Sequence, residues 1–130
     1  MKESQDTLRS IIARIDDILR DHPVPAGEMS RAVRLVDDEA VSLIVSCMLA
    51  GGELKSHLHR THAETEYFIR GTGQLLVNGS WVEIGAGSLH YNPAGAVHAI
   101  RNTGKEPLVV LILFTPGMKE TDRHFTDEKA

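Results

Sequence analysis

The stretch from Gly51 to Gly71 reads GGELKSHLHRTHAETEYFIRG, and a second stretch from Gly87 to Asn102, GSLHYNPAGAVHAIRN, completes it. His57 and His59 are two residues apart, so on an extended strand both imidazoles leave the same face, close enough to share one ion. Glu64 adds a carboxylate, and His98 offers a further imidazole from the facing strand of a closed sheet. Three nitrogens and one oxygen make a borderline donor set, suited to one divalent transition metal per chain: zinc, iron, nickel, manganese or copper. Each histidine taken alone reads as a satisfied core or surface residue. Jointly they do not, because three imidazoles and a carboxylate buried in one small domain without an ion would leave polar groups unpaired at roughly 1–3 kcal/mol each.

Outward from this stretch the chain has a period of two, punctuated by glycine, proline or asparagine, which is the pattern of many short strands. Strands are expected near 31–36, 41–49, 55–59, 64–70, 74–77, 81–84, 88–92, 97–102 and 108–114. Asn78-Gly79 is a two-residue hairpin signal. The run LVVLILF from Leu108 to Phe114 is apolar on both faces and so belongs at the centre of a sheet. Short strands with no helix between them exclude a parallel wound sheet and leave a sandwich or a small barrel.

Before the strands, Leu8, Ile11, Ile12, Ile15, Ile18 and Leu19 recur at spacings of three and four, with Arg9, Arg14, Asp16, Asp17 and Arg20 on the other face. This predicts an amphipathic helix, capped by Ser4 or Asp6 and ended by the prolines of DHPVPAG, that covers the outside of the sheet or a dimer seam. The domain layout is then 1–27 helix and linker, 28–118 barrel, 119–130 tail.

Composition agrees: 130 residues, 42% apolar and 25% charged, fit one globular domain that gains further burial as a homodimer. A net charge of -4 with scattered Lys and Arg argues against nucleic acid or an anionic membrane as partner. The polar start MKESQDT and the lack of a spanning apolar run predict a cytoplasmic protein. The single cysteine, Cys47, alternates with apolar residues and reads as a buried reduced thiol.

Two motif spacings carry a family resemblance. The first is Gly51, five residues, His57, one, His59, four, Glu64, six, Gly71; the second is Gly87, five, Pro93, one, Gly95, two, His98, three, Asn102. In both, the chain resembles the cupin superfamily, in its small single-domain metal-binding form. The resemblance covers about 41–115. It implies an all-β fold, an antiparallel jelly-roll β-barrel (double-stranded β-helix) with the N-terminal amphipathic helix outside it, and a metal held by His57, His59, Glu64 and His98. Independently of the family, Gly71, Gly87 and Gly95 suit turns of positive φ, and Asn102 is expected to bond backbone at a strand end.

Three residues beside the site bear on its chemistry. Glu66 shares the Glu64 face, either as a proton-moving base or, preferred, as a carboxylate bonded to a ligand histidine or to Arg70. His62 is a candidate fifth ligand or proton shuttle, with a solvated rim histidine as the plainer reading. Of His90 and Tyr91, one points inward. His22 and His124 receive no role. Strand faces bearing Leu43, Val45, Phe68, Ile100 and Ile112 suggest mainly apolar walls, fit for a small acid, enol or phenol. The function expected is a metal-dependent enzyme of dioxygenase, isomerase or lyase type, with Glu66 and His62 as candidate catalytic residues. The alternative is a module that binds or senses a metal or small ligand without turning it over.

Overall fold

A computed structural model describes residues 9–126. Among these residues ten strands follow one helix: α1 (Ile15–Asp21), β1 (Ser30–Asp37), β2 (Ser42–Met48), β3 (Glu53–Leu58), β4 (Ala63–Arg70), β5 (Thr72–Val77), β6 (Ser80–Gly85), β7 (Leu89–Asn92), β8 (His98–Arg101), β9 (Leu108–Thr115) and β10 (His124–Phe125). They form two five-stranded sheets, β1-β2-β9-β4-β7 and β10-β3-β8-β5-β6, with every pairing antiparallel. The doubly apolar β9 is the middle strand of the first sheet, where both of its faces are covered. Met48, Phe68, Leu75, Ile100, Leu108 and Val110 fill the core between the sheets.

Local chemistry sets the corners. Asn78 and Gly79 take φ of 50° and 81°, the left-handed pair that a two-residue hairpin between β5 and β6 requires. Gly71 has a φ of 90°, and a Cβ there would lie 2.5 Å from the Pro107 carbonyl oxygen, so no other residue fits. Asn102 ties down the end of β8: its amide donates to the Met48 and Glu106 carbonyls, and its oxygen accepts from the Gly104 N–H.

Two sequence expectations need correction here. The helix is shorter than its apolar pattern. Among the described residues it begins at Ile15, while Ile11 and Ile12 are exposed and non-helical; Leu8 and the caps Ser4 and Asp6 lie outside the described residues. Only the turn bearing Ile15, Ile18 and Leu19 meets the sheet, packing with Val45 and Val109 on its outer face, and a β-branched turn without such a partner does not hold a helix. Arg70 pairs with Asp16 of this helix, not with Glu66. Cys47 is half-buried on the same outer face, a free thiol whose pKa burial pushes up against the opposing Arg70 charge.

The second correction concerns the segment expected to be a tail. His124 and Phe125 pair with Leu58 and His57, adding β10 to the edge of the second sheet. No helix among the described residues is long and apolar enough to cross a membrane.

Candidate metal centre

His57 and His98 are register partners on the adjacent strands β3 and β8, with ring centroids 4.1 Å apart. His98 thus stands beside His57 in one sheet, not across from it as expected. Glu64 is the residue that comes from the facing sheet, on β4, where it pairs with Phe114 and Asn92. His59 lies one residue past β3, at the corner where the chain passes between the sheets. All four side chains are buried, and one ligand atom from each falls within 4.8 Å of the other three.

Backbone carbonyls fix two of the rings. His57 Nδ1 donates to the Lys55 carbonyl and His59 Nδ1 donates to the Asp122 carbonyl, each at 2.7 Å. A carbonyl only accepts, so Nδ1 keeps its proton and Nε2 carries the lone pair in the neutral ring, which is how ligating histidines are commonly oriented. The Asn92 amide nitrogen lies 3.1 Å from His98 Nδ1 and also donates to the Ala96 carbonyl. Glu64 Oε1 faces two Nε2 atoms, at 2.8 Å from His98 and 3.2 Å from His59. His57 Nε2 makes no hydrogen bond among the described residues.

The electrostatics follow. Burial, reinforced by His98, lowers the His57 pKa to about 4, so this ring is neutral near pH 7. Burial also opposes charging of His59, but the Glu64 carboxylate and the Asp122 carbonyl outweigh it and hold this pKa above the ordinary value. Glu64 is penalised by burial, yet the bonds from His59 and His98 bring it to about 2, an ionised carboxylate. The expectation of orphaned groups is not met, because among the described residues every fully buried side-chain nitrogen and oxygen has a partner. What fits an ion is the donor set itself: a neutral imidazole with an unused lone pair and an anionic oxygen between two further ring nitrogens, convergent in one pocket.

Beneath this cluster a cavity of about 250 Å³ runs between the sheets, walled by Ile44, Met48, Ile100, Leu108, Ile112 and Phe114. The anticipated walls are only partly right. Ile100 and Ile112 line it and Phe68 lies in the adjoining core, whereas Val45 faces outward under α1, and Leu43, two residues away on β2, shares that outer face.

Glu66 is buried and borders the cavity, and its carboxylate accepts from His90 Nδ1 at 2.7 Å across the β4–β7 pair. Its partner is therefore neither a ligand histidine nor Arg70. Burial and then the Glu64 charge push its pKa up, against the pull of His90. His90 points inward and Tyr91 outward. His62 is not brought to the site. Both of its nitrogens are engaged elsewhere, Nδ1 with Asp122 at 2.7 Å and Nε2 with the Gly117 carbonyl at 3.2 Å, which leaves it neither a solvated rim residue nor a ligand.

The residue that sequence reading missed is Asp122. Its carboxylate accepts from the Arg60 N–H (3.0 Å), the Thr61 N–H (2.8 Å) and hydroxyl (3.0 Å), His62, and His124 (3.0 Å), while its carbonyl orients His59. Its neighbour Arg123 borders the cavity. The two-residue strand that follows is too short to show a period, and a lone Asp in a charged tail carries no signal.

Comparison with known proteins places this architecture. A family model described as "Cupin domain" matches residues 44–114. An uncharacterized conserved protein with a double-stranded beta-helix domain from Klebsiella pneumoniae superposes with a TM-score of 0.76 at 23% identity, over 91% of this chain and all of that one. A predicted oxalate decarboxylase from Thermotoga maritima superposes with a TM-score of 0.64 at 25% identity, over 67% of this chain and 80% of that one. In sequence, mannose-1-phosphate guanylyltransferase of Klebsiella pneumoniae is 36% identical over 61 residues, which are 47% of this chain but only 13% of that protein.

Proposed function

The chain belongs to the cupin domain family, and from that premise we propose that it is a metal-dependent enzyme acting on a small oxygen-rich molecule at the site formed by His57, His59, Glu64 and His98. The observation that carries this reading is the convergence of four buried ligand atoms beside a fifth buried group, Glu66, in one small cavity. The three imidazoles and Glu64 would hold one divalent transition ion. Bound there, such an ion supplies Lewis acidity, or redox chemistry if its identity allows.

The remaining work falls to this chain's own residues. Apolar walls exclude water and strengthen the polar contacts at the cluster end. The cavity is smaller than the roughly 300–1,000 Å³ of drug-sized pockets, which suits a small acid, enol or phenol. Glu66 takes or gives the proton to be moved at Oε2, while His90 Nδ1 donates to Oε1 and keeps the carboxyl group in place. Resemblance to a predicted oxalate decarboxylase supports chemistry on a small acid but does not choose among oxygenase, isomerase and lyase.

The proposal extends to a cytoplasmic homodimer. Tyr67 and Leu89 are cross-strand partners, Tyr91 lies two residues along, and all three are exposed on the outer face at the β7 edge of the first sheet, an apolar patch that a second copy would cover.

The test is elemental analysis of the purified protein, then assay of Glu66→Gln. Retained metal with lost turnover, at nearly unchanged substrate affinity, supports an enzyme that uses Glu66. A wild-type protein that binds its ligand and returns it unchanged, with and without dioxygen, would favour a sensor or carrier instead.

A further inference from the structure

β10 is the shortest strand and lies at a sheet edge, yet it is held firmly. Phe125 is the register partner of His57, with ring centroids 5.9 Å apart, and the Thr126 N–H donates to the Ser56 carbonyl. Arg123 lies two residues before Phe125, just ahead of β10, on the segment that runs past His57 and the cavity. Arg123 indeed borders that cavity, and its charge is close enough to act on the His59 ring. Its guanidinium makes no hydrogen bond or ion pair among the described residues. The nearest carboxylate in sequence, that of Asp122, is fully used by Arg60, Thr61, His62 and His124.

An uncommitted guanidinium is a flat fork of donors matched to a carboxylate. Here it stands at the border of a cavity with mainly apolar walls, on the side of the metal cluster that His57 and His59 form. We propose that Arg123 anchors the carboxylate of a small acid whose other end presents chelating oxygens to the metal centre. The inference rests on the metal-dependent reading and narrows its substrate class to chelating acids with a second, separate anionic group, such as 2-hydroxy or 2-oxo dicarboxylates. A phenol or a neutral enol would leave Arg123 without a partner.

The experiment uses the full chain loaded with cobalt(II), whose visible absorption reports ligands entering the site. Two probes are titrated, malate and 2-hydroxybutyrate, which share the hydroxy-acid chelating end and differ in that a methyl group replaces the distal carboxylate. Wild-type protein should bind malate about tenfold more tightly or better, the effect of one charge-assisted contact. R123Q should lose that preference through weaker malate binding alone, with cobalt and 2-hydroxybutyrate affinities unchanged, and R123K should restore part of it. A cobalt-loaded wild type with no preference for malate, or an R123Q protein that keeps it, would overturn the inference and leave the metal reading standing. A chain that takes up no cobalt would overturn both.

Discussion

Replacing Asp122 by alanine should both destabilise the fold and loosen the metal site, although this residue is not among the ligands. The carboxylate is buried and accepts two backbone N–H bonds, a hydroxyl and two imidazoles. Hydrogen bonds to a charged group are worth about 1.5–3 kcal/mol each, and those of one network do not add. We therefore expect a loss of about 3 kcal/mol, which for a domain of this size lowers Tm by roughly 10 °C. The Asp122 carbonyl survives the substitution, but it reaches His59 Nδ1 only while the segment stays docked, so metal affinity should drop about 10–100-fold. Calorimetry of metal-free and metal-loaded protein measures the first effect, and competition with a chelator the second. Burial alone would raise the Asp122 pKa, but the bonds from His62, Thr61 and Arg60 outweigh it and hold the carboxyl well below the usual range. A depressed folded pKa means that the stabilisation is complete above the ordinary aspartate value of about 4 and is lost as pH falls through the folded value. The gap between wild type and Asp122→Asn should accordingly be constant near neutrality and shrink in acid below about pH 4. An alanine variant that melts within about 2 °C of wild type and binds metal equally well would refute the reasoning.

Chelation should lower Tm, by an amount corresponding to about 2.7 kcal/mol where the ion had stood at a hundred times its Kd, and His98→Ala should melt like the chelated protein. Metal binding should weaken as pH falls through the histidine range, because an imidazolium cannot ligate; titration at several pH values checks this. Glu64→Gln replaces an anionic oxygen by a neutral one, so metal affinity should fall without unfolding, whereas Glu66→Gln should keep its metal, as elemental analysis of both would reveal. Deleting residues 1–22 removes Ile15, Ile18 and Leu19 from the outer face of the first sheet, and the truncated protein should lose solubility and melt earlier; unchanged solubility and Tm would mean that the helix covers nothing that matters.

Nine of the ten strands were legible because their period of two is written in residues such as those of β9 and in the Asn78-Gly79 turn. The four clustered residues were legible too, since His57 and His59 share a face by parity and the motif spacing ties Glu64 and His98 to them. Three things were not readable, each for a physical reason. Helical periodicity from Leu8 onward says that a stripe exists but not how much sheet lies beneath it, and among the described residues only one turn meets the sheet. Alternation says which residues share a face but not which face is inward, so Val45 was placed in the cavity when it lies under the helix. The partners of Glu66 and His62 depend on pairings across the fold, with β7 and with the segment around Asp122, and neither leaves a local pattern.

The placement of the cluster has a mechanical meaning. Its imidazoles belong to the second sheet or its edge, and its carboxylate belongs to the first. An ion held by all four would act as a rivet through two plates that otherwise adhere through apolar contact, which resists separation but has little directional preference against sliding. Shear of one sheet over the other would stretch metal–ligand bonds long before it exposed much apolar area. Loading the site would thus stiffen the sandwich against one motion in particular, at the mouth of the cavity where a small molecule has to enter and leave.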